Sequence, residues 1–146
     1  PIPPSVPEVE QAVRAFLEWE SVNDVEYLLS ESKVFSVKHV FARTLDVVAM
    51  VSGVKTLLDF KTSNSYSNDY DLQTAAYVLA HNEEQENGVE HIFDRVVIML
   101  SKESGMPTPY KLDINKYESE VEVFLAAKRV YDWKQTLPKF EYSKKR

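Results

Sequence analysis

The stretch "TLDVVAMVSGVKTLLDFK" (residues 44–61) contains two runs rich in Val and Leu, separated by Ser52 and Gly53. Two apolar runs joined by a two-residue break that contains Gly predict a β-hairpin. If the loop is symmetric about this break, the numbers of paired residues sum to 105, so that Val51 faces Val54. The register of the hairpin then follows along both strands.

The same register brings charged side chains together. Asp46 faces Asp59 across the hairpin, and directly opposed residues have Cβ atoms about 4.5–5.5 Å apart. Lys61 follows Asp59 by two positions, so both side chains lie on one face of the strand. If the first strand pairs with the second at a sum near 75, Glu31 lies opposite Thr44 on that face. We therefore expect Glu31, Asp46, Asp59 and Lys61 to form one patch.

Three carboxylates so close together repel one another unless a cation lies among them or one stays protonated. Lys61 supplies one positive charge, and a divalent ion would supply two. Oxygen ligands without nearby His or Cys suit Mg²⁺ or Mn²⁺. The pattern is compatible with two interpretations, an ion pair on the surface of a sheet and half of a metal-dependent nuclease site.

The rest of the chain predicts one α/β (α+β) domain with the order α-β-β-β-α-β-(β)-α. Apolar residues at helical spacing and β-branched runs indicate the elements. The predicted helices cover residues 7–20, 70–82 and 117–137, and the predicted strands cover residues 26–37, 40–51, 54–62, 92–102 and 110–115. We expect a mixed central sheet flanked by helices, with an extra C-terminal helix.

Composition restricts the class of protein. The 146 residues suffice for one domain, residues 1–146, and the net charge is −6. The chain has no Cys, which excludes disulfides, thiolate zinc sites and an iron–sulfur cluster. Neither a membrane-spanning run nor a signal peptide is visible. The chain does not begin with Met, which is compatible with a missing upstream segment.

The longer stretch "TLDVVAMVSGVKTLLDFKTSNSYSNDYDLQTAAY" (residues 44–77) resembles the core of the PD-(D/E)XK nuclease superfamily, in its RecB-type, phage exonuclease-like branch. That family places an acid on the second strand, D-x-K on the third strand and Q-x-x-x-Y on the next helix. The matching residues here are Asp46, Asp59-Phe60-Lys61, Gln73 and Tyr77. The resemblance implies a restriction-endonuclease-like αβββαβ core, the order that the chain itself predicts.

The resemblance also implies a role for each matching residue. Asp46 and Asp59 would be ligands of Mg²⁺ or Mn²⁺ together with the Phe60 carbonyl, and Glu31 would act as an outer ligand. Lys61 would be the catalytic lysine, and Gln73 and Tyr77 would position the substrate strand or catalytic groups. The nucleic acid would be contacted by residues of the hairpin and of the next helix: Arg43, Lys55, Lys61, Gln73 and Tyr77.

The function implied is that of a Mg²⁺-dependent deoxyribonuclease, a hydrolase of the exonuclease type. It would act in viral or bacterial recombination, repair or genome processing, in the cytoplasm. Because phosphate binding needs a local positive strip and the chain carries a net charge of −6, we expect modest affinity for DNA. Alternatively, a second copy or a partner protein supplies the missing charge.

Two features depart from the family pattern. The helix over residues 7–20 has no His, although RecB-type nucleases often have one there, and Arg43 stands where the family commonly has Gly. These departures favour an alternative, a catalytically inactive relative that binds nucleic acid or protein. A third interpretation is a small α/β interaction domain in which the charged patch is only structural.

Overall fold

The computed structural model describes residues 7–85 and 91–139, so both ends of the predicted 1–146 domain lie outside the described residues. The element order is the predicted one. The helices are α1 (Pro7–Ser21), α2 (Asp69–Glu84) and α3 (Tyr117–Gln135). The strands are β1 (Val25–Ser36), β2 (Phe41–Val51), β3 (Val54–Lys61), β4 (Asp94–Leu100) and β5 (Pro107–Lys111). A short 3₁₀ helix, Ile114–Lys116, precedes α3.

The five strands form one mixed sheet in the order β1-β2-β3-β4-β5. The β3–β4 pair is parallel, and the other three pairs are antiparallel. A parallel pair needs a crossover connection, which α2 provides here. The prediction of a mixed sheet flanked by helices is therefore confirmed. Among the helices of the described ranges, none is long and apolar enough to span a bilayer.

The β2–β3 hairpin has the predicted register. Its pairs run from Val51–Val54 to Val47–Leu58, so the residue numbers sum to 105. Ser52 and Gly53 have φ values of 48° and 83°. Positive φ at both central residues is the signature of a type I′ turn, whose twist matches that of the strands it joins.

The sheet lies between two helical layers. On one face, Ala15 and Trp19 of α1 pack against Leu58 and its neighbours. On the other face, Val78 of α2 packs against Leu57 and its neighbours. Leu57 and Leu58 thus point to opposite faces, as successive strand residues do. Asp59, two residues after Leu57, belongs to the face that α2 covers.

The predicted pairing of β1 with β2 is wrong by two residue numbers. Lys33, not Glu31, lies opposite Thr44, and the sum over this part of the ladder is 77. The turn occupies residues 37–40, one position later than a turn centred on "SVKH". Glu31 is level with Asp46, between two regular pairs, and has a positive φ of 48°.

The fifth strand also lies earlier than predicted. It covers Pro107–Lys111 rather than residues 110–115. The segment "GMPTP" indicates a turn because of its prolines, but β5 is at the edge of the sheet. Proline is tolerated in an edge strand because its missing N–H removes no bond from the interior of the ladder.

Candidate metal and nuclease site

Asp46 lies where β2 separates from β3. The backbone ladder between these strands ends at Val47–Leu58, and beyond it the N–H of Phe60 donates to Oδ2 of Asp46 at 3.1 Å. A side-chain carboxylate thus replaces the strand carbonyl as acceptor. Leu45 and Val48 pack in the same cluster although they are three residues apart, so the alternation of faces is interrupted between them. This irregularity turns the Asp46 carboxylate towards β3.

Asp59 is the buried acid of the site. Only 1% of it is exposed, and none of the described residues donates a hydrogen bond to its Oδ2. The ammonium of Lys61 lies 3.2 Å from this oxygen, an ion pair without the angles of a hydrogen bond. Burial, followed by the neighbouring Asp46 carboxylate, raises the pKa of Asp59 to about 7. The negative charge of the two carboxylates is therefore only partly compensated.

Lys61 contacts Asp59 on its own strand and Gln73 and Tyr70 of α2. Its Nζ donates to Oε1 of Gln73 at 3.4 Å and lies 4.8 Å from the centre of the Tyr70 ring. Burial by itself lowers the pKa of Lys61, but the negative charges of Asp59, Tyr77 and Asp46 together outweigh it, so the net pKa lies above the ordinary value. Lys61 is therefore a cation at neutral pH.

The α2 residues of the predicted motif lie beside the acids. Gln73 and Tyr77 are four apart and share a face of the helix, as predicted. Gln73 reaches Lys61, and burial followed by the charge of Asp59 raises the pKa of Tyr77. Tyr70 was not predicted to belong to the site. Its position three residues before Gln73 is the sequence signal that could have found it.

Of the two further predicted metal ligands, Glu31 lies outside a three-acid site, and Phe60 directs its ring towards α1. Among the described residues, no three acidic, His or Cys side chains form a group that could hold a metal, so the structure does not bring Glu31 into a three-acid site. Glu31 is exposed. The Phe60 ring packs edge-on against Phe16 and Trp19 of α1, at centroid distances of 5.3 and 5.9 Å. Only the backbone of Phe60 therefore faces the predicted metal site.

Of the two further basic residues predicted to contact nucleic acid, only Arg43 is near the site. Its guanidinium lies 5.9 and 5.6 Å from the ring centres of Phe41 and Phe124, and its positive charge lowers the pKa of Tyr77. Lys55 lies six residues before Lys61 on β3, which corresponds to roughly 20 Å along the strand. The structure thus separates Lys55 from the acids.

The residues present fit a hard divalent cation. The carboxylates of Asp46 and Asp59 are neighbours, and the buried Oδ2 of Asp59 lacks a hydrogen-bond partner among the described residues. Mg²⁺ commonly binds through one or two protein carboxylates and keeps positions for water and phosphate. Asp46 and Asp59 would be such ligands.

Comparison with known proteins gives no family assignment. No protein-family model matches the chain, and no curated protein matches it significantly.

Proposed function

We propose that this chain is a metal-dependent DNA nuclease that hydrolyses phosphodiester bonds. The observation that supports it most is the meeting of Asp46 and Asp59 beside the ammonium of Lys61. A buried acid, Asp59, beside a half-buried one, Asp46, with one charged lysine costs stability, because burying a carboxylate without full compensation is unfavourable. Such an arrangement is typical of functional sites, where ionisable groups have perturbed pKa values.

Asp46 and Asp59 would hold Mg²⁺ or Mn²⁺. When bound, such an ion supplies Lewis-acid polarisation of a phosphoryl oxygen and lowers the pKa of water. The N–H of Phe60 fixes the Asp46 carboxylate, so that the backbone of β3 orients one ligand while its side chain at position 59 supplies the other.

Three further side chains would act on the phosphate, and Gln73 would position one of them. Lys61 is a cation held by Asp59 and Gln73, and it is placed to stabilise negative charge that develops on the phosphate oxygens. Gln73 acts as a positioning residue for the ammonium. Tyr77 presents a phenol beside the acids, and Arg43 on the neighbouring strand offers a guanidinium to a backbone phosphate.

The finer assignment rests on the sequence pattern of residues 44–77. That pattern supports membership of the RecB-type PD-(D/E)XK group, exonuclease-like cleavage, and a role in phage or bacterial recombination or repair in the cytoplasm. Because the net charge is −6, a second copy or a partner protein would help to hold DNA.

One alternative has support from specific residues. Helix α1 has no His, and Arg43 occupies the position where the related pattern has Gly. These features favour an inactive relative that keeps the fold and binds nucleic acid or protein.

A cleavage assay separates the two functions. End-labelled linear DNA, single- and double-stranded, is incubated with Mg²⁺ or Mn²⁺ and the products are sized. We expect wild type to release short products and Asp59→Asn to release none. Asp132→Asn is the matched control, because it removes a carboxylate that pairs with Lys128 on α3, away from the acids. Binding of DNA without any product from wild type would instead establish the inactive relative.

A further inference from the structure

A polar cavity lies near the proposed catalytic lysine, past the end of β3. Its volume is about 310 Å³, at the lower end of the range of about 300–1,000 Å³ for small-molecule sites. Met99, which lines the cavity, is the β4 partner of Lys61 in the parallel ladder. The cavity therefore opens at the carboxyl ends of β3 and β4. Further lining residues are Ser63, Asn64, Tyr66, Ser101, Thr108 and Tyr110.

Two tyrosines form an aromatic wall of this cavity. The rings of Tyr66 and Tyr110 are 4.6 Å apart and inclined at 47°. Tyr66 also packs edge-on against Tyr70 at 5.3 Å and donates a hydrogen bond from its hydroxyl to Asp71. Tyr66 is thus fixed from three directions, whereas Tyr110 on the edge strand is 42% exposed. A flat ligand could reach the ring of Tyr110 without displacing core residues.

Tyr70 connects the cavity to the proposed catalytic centre. Its hydroxyl forms a hydrogen bond of 2.6 Å with Oγ of Ser63, which lines the cavity. The ring of the same tyrosine lies 4.8 Å from Nζ of Lys61. The cavity and Lys61 are therefore close enough for one nucleotide to place its base and sugar in the cavity and its phosphate at Lys61.

The chemistry of the lining selects the kind of ligand. Among the described residues that line the cavity there is no Lys or Arg, and Glu103 contributes a carboxylate, so a phosphate is disfavoured there. Hydroxyl and amide groups offer neutral hydrogen-bond donors and acceptors. An aromatic wall with such groups suits a nucleobase, whose face stacks and whose edge forms hydrogen bonds.

We propose that this cavity binds the base and sugar of the nucleotide next to the phosphate to be cleaved. The inference rests on the proposed nuclease function. A base can enter the cavity only when it is unpaired and unstacked from its strand. The site therefore selects a single-stranded or frayed end of DNA, and Tyr110 supplies the stacking face.

The test measures binding of fluorescent single-stranded oligonucleotides in EDTA, where no cleavage is expected. A series of oligonucleotides carries one abasic site, placed at each position in turn. Aromatic stacking typically contributes a factor of roughly 5 to 150 in affinity for each base. We expect Tyr110→Ala to weaken binding of the intact strand by about tenfold or more, and Tyr110→Phe to bind like wild type.

The abasic series distinguishes a base contact from a structural effect. In wild type, one abasic position should lose about the same affinity as Tyr110→Ala, and in Tyr110→Ala that abasic site should cost nothing further. Thr108→Trp, at an exposed position on β5, should fill the cavity and give the same loss without touching the core. Tyr131→Ala, which removes an exposed tyrosine of α3, should change nothing.

The outcomes separate this inference from the proposed function. If wild type cleaves DNA but Tyr110→Ala weakens binding of the intact and every abasic oligonucleotide equally, the base site is overturned and the nuclease function is retained. Base-dependent binding without cleavage in Mg²⁺ or Mn²⁺ would overturn the nuclease and leave the base site. Absence of binding to any oligonucleotide would overturn the base site, and absence of cleavage in Mg²⁺ or Mn²⁺ would in addition overturn the nuclease.

Discussion

The N–H of Phe60 donates a hydrogen bond of 3.1 Å to the side chain of Asp46, at the point where the backbone ladder between β2 and β3 has ended. This bond fixes an acid of one strand against the backbone of the next. It also places that acid beside Asp59, whose side chain points to the α2 face. The two acids are therefore held close together by the backbone of β2 and β3 at the point where these strands separate, and not by a loop.

The first prediction concerns the cost of this acid pair. Asp59 is 1% exposed and has a carboxylate neighbour, so its charge destabilises the folded state when no metal ion is bound. At pH 8 in EDTA, we expect Asp59→Asn to raise the free energy of unfolding by about 1–2 kcal/mol. For a chain of this size, each kcal/mol corresponds to roughly 2–4 °C in Tm.

Added Mn²⁺ supplies the second half of this measurement. A ligand that binds only the folded state raises Tm. Mn²⁺ should therefore stabilise wild type and Asp132→Asn, but not Asp59→Asn. A lower Tm for Asp59→Asn in EDTA would show that the carboxylate stabilises the fold and is a structural group.

The second prediction concerns the coupling of Lys61 with Asp59. Their charged groups are 3.2 Å apart, and the lysine side chain is 23% exposed. We expect Lys61→Ala to reduce cleavage by about 100-fold or more, as removal of a group that stabilises transition-state charge does. It should also lower stability by about 1 kcal/mol, because the two acids then lack their cation.

A double-mutant cycle isolates the ion pair. In the Asp59→Asn background, Lys61→Ala should cost less stability than in wild type, because the carboxylate that the lysine compensates is already gone. Chemical denaturation gives the four free energies of unfolding. Equal costs in both backgrounds would contradict the coupling.

The third prediction concerns Gln73 as a positioning residue. Its amide oxygen accepts a hydrogen bond of 3.4 Å from Nζ of Lys61. Gln73→Ala leaves the ammonium with Asp59 and the Tyr70 ring as its partners among the described residues, so we expect kcat to fall about ten- to a hundredfold with a smaller change in KM. Gln135→Ala, at the end of α3, is the control. A change confined to KM would indicate that Gln73 binds substrate directly.

The fourth prediction concerns the pH dependence of stability. His81 of α2 is buried, and burial lowers its pKa below the ordinary value of 6.5, with smaller effects in the same direction from Lys55 and His91. The hydrogen bond with Asn82 and the charge of Glu84 act in the opposite direction. Because the folded pKa is depressed, the unfolded chain takes up a proton first as pH falls through 6.5.

Stability from this group is therefore fully present above pH 6.5 and lost below it, by up to about 1.4 kcal/mol per pH unit until the folded pKa is reached. His81→Gln should remove this component. The difference in unfolding free energy between the two proteins should be flat above pH 6.5 and change below it. His39→Gln, in the turn after β1, serves as the control. A difference that does not vary between pH 7 and pH 5 would refute the prediction.

The sequence by itself determined the parts that depend on near neighbours in the chain. The Ser52-Gly53 turn fixed the hairpin register, because both residues adopt positive φ and the ladder follows from the turn. The spacing of Gln73 and Tyr77 placed both on one face of α2 for the same local reason. The order of helices and strands was likewise readable from periodicity.

Only the tertiary structure decided how distant segments meet. The turn at residues 37–40 has no Gly or Asn to mark its centre, so the register predicted for β1 and β2 is wrong. Glu31 lies level with Asp46, not with Thr44. The edge position that permits prolines in β5 depends on the strand order. The contact of Lys61 with Gln73 and Tyr70 depends on where the α2 crossover lies on the sheet. Turn geometry is set by a few adjacent residues, whereas sheet order and helix packing depend on burial summed over the whole chain.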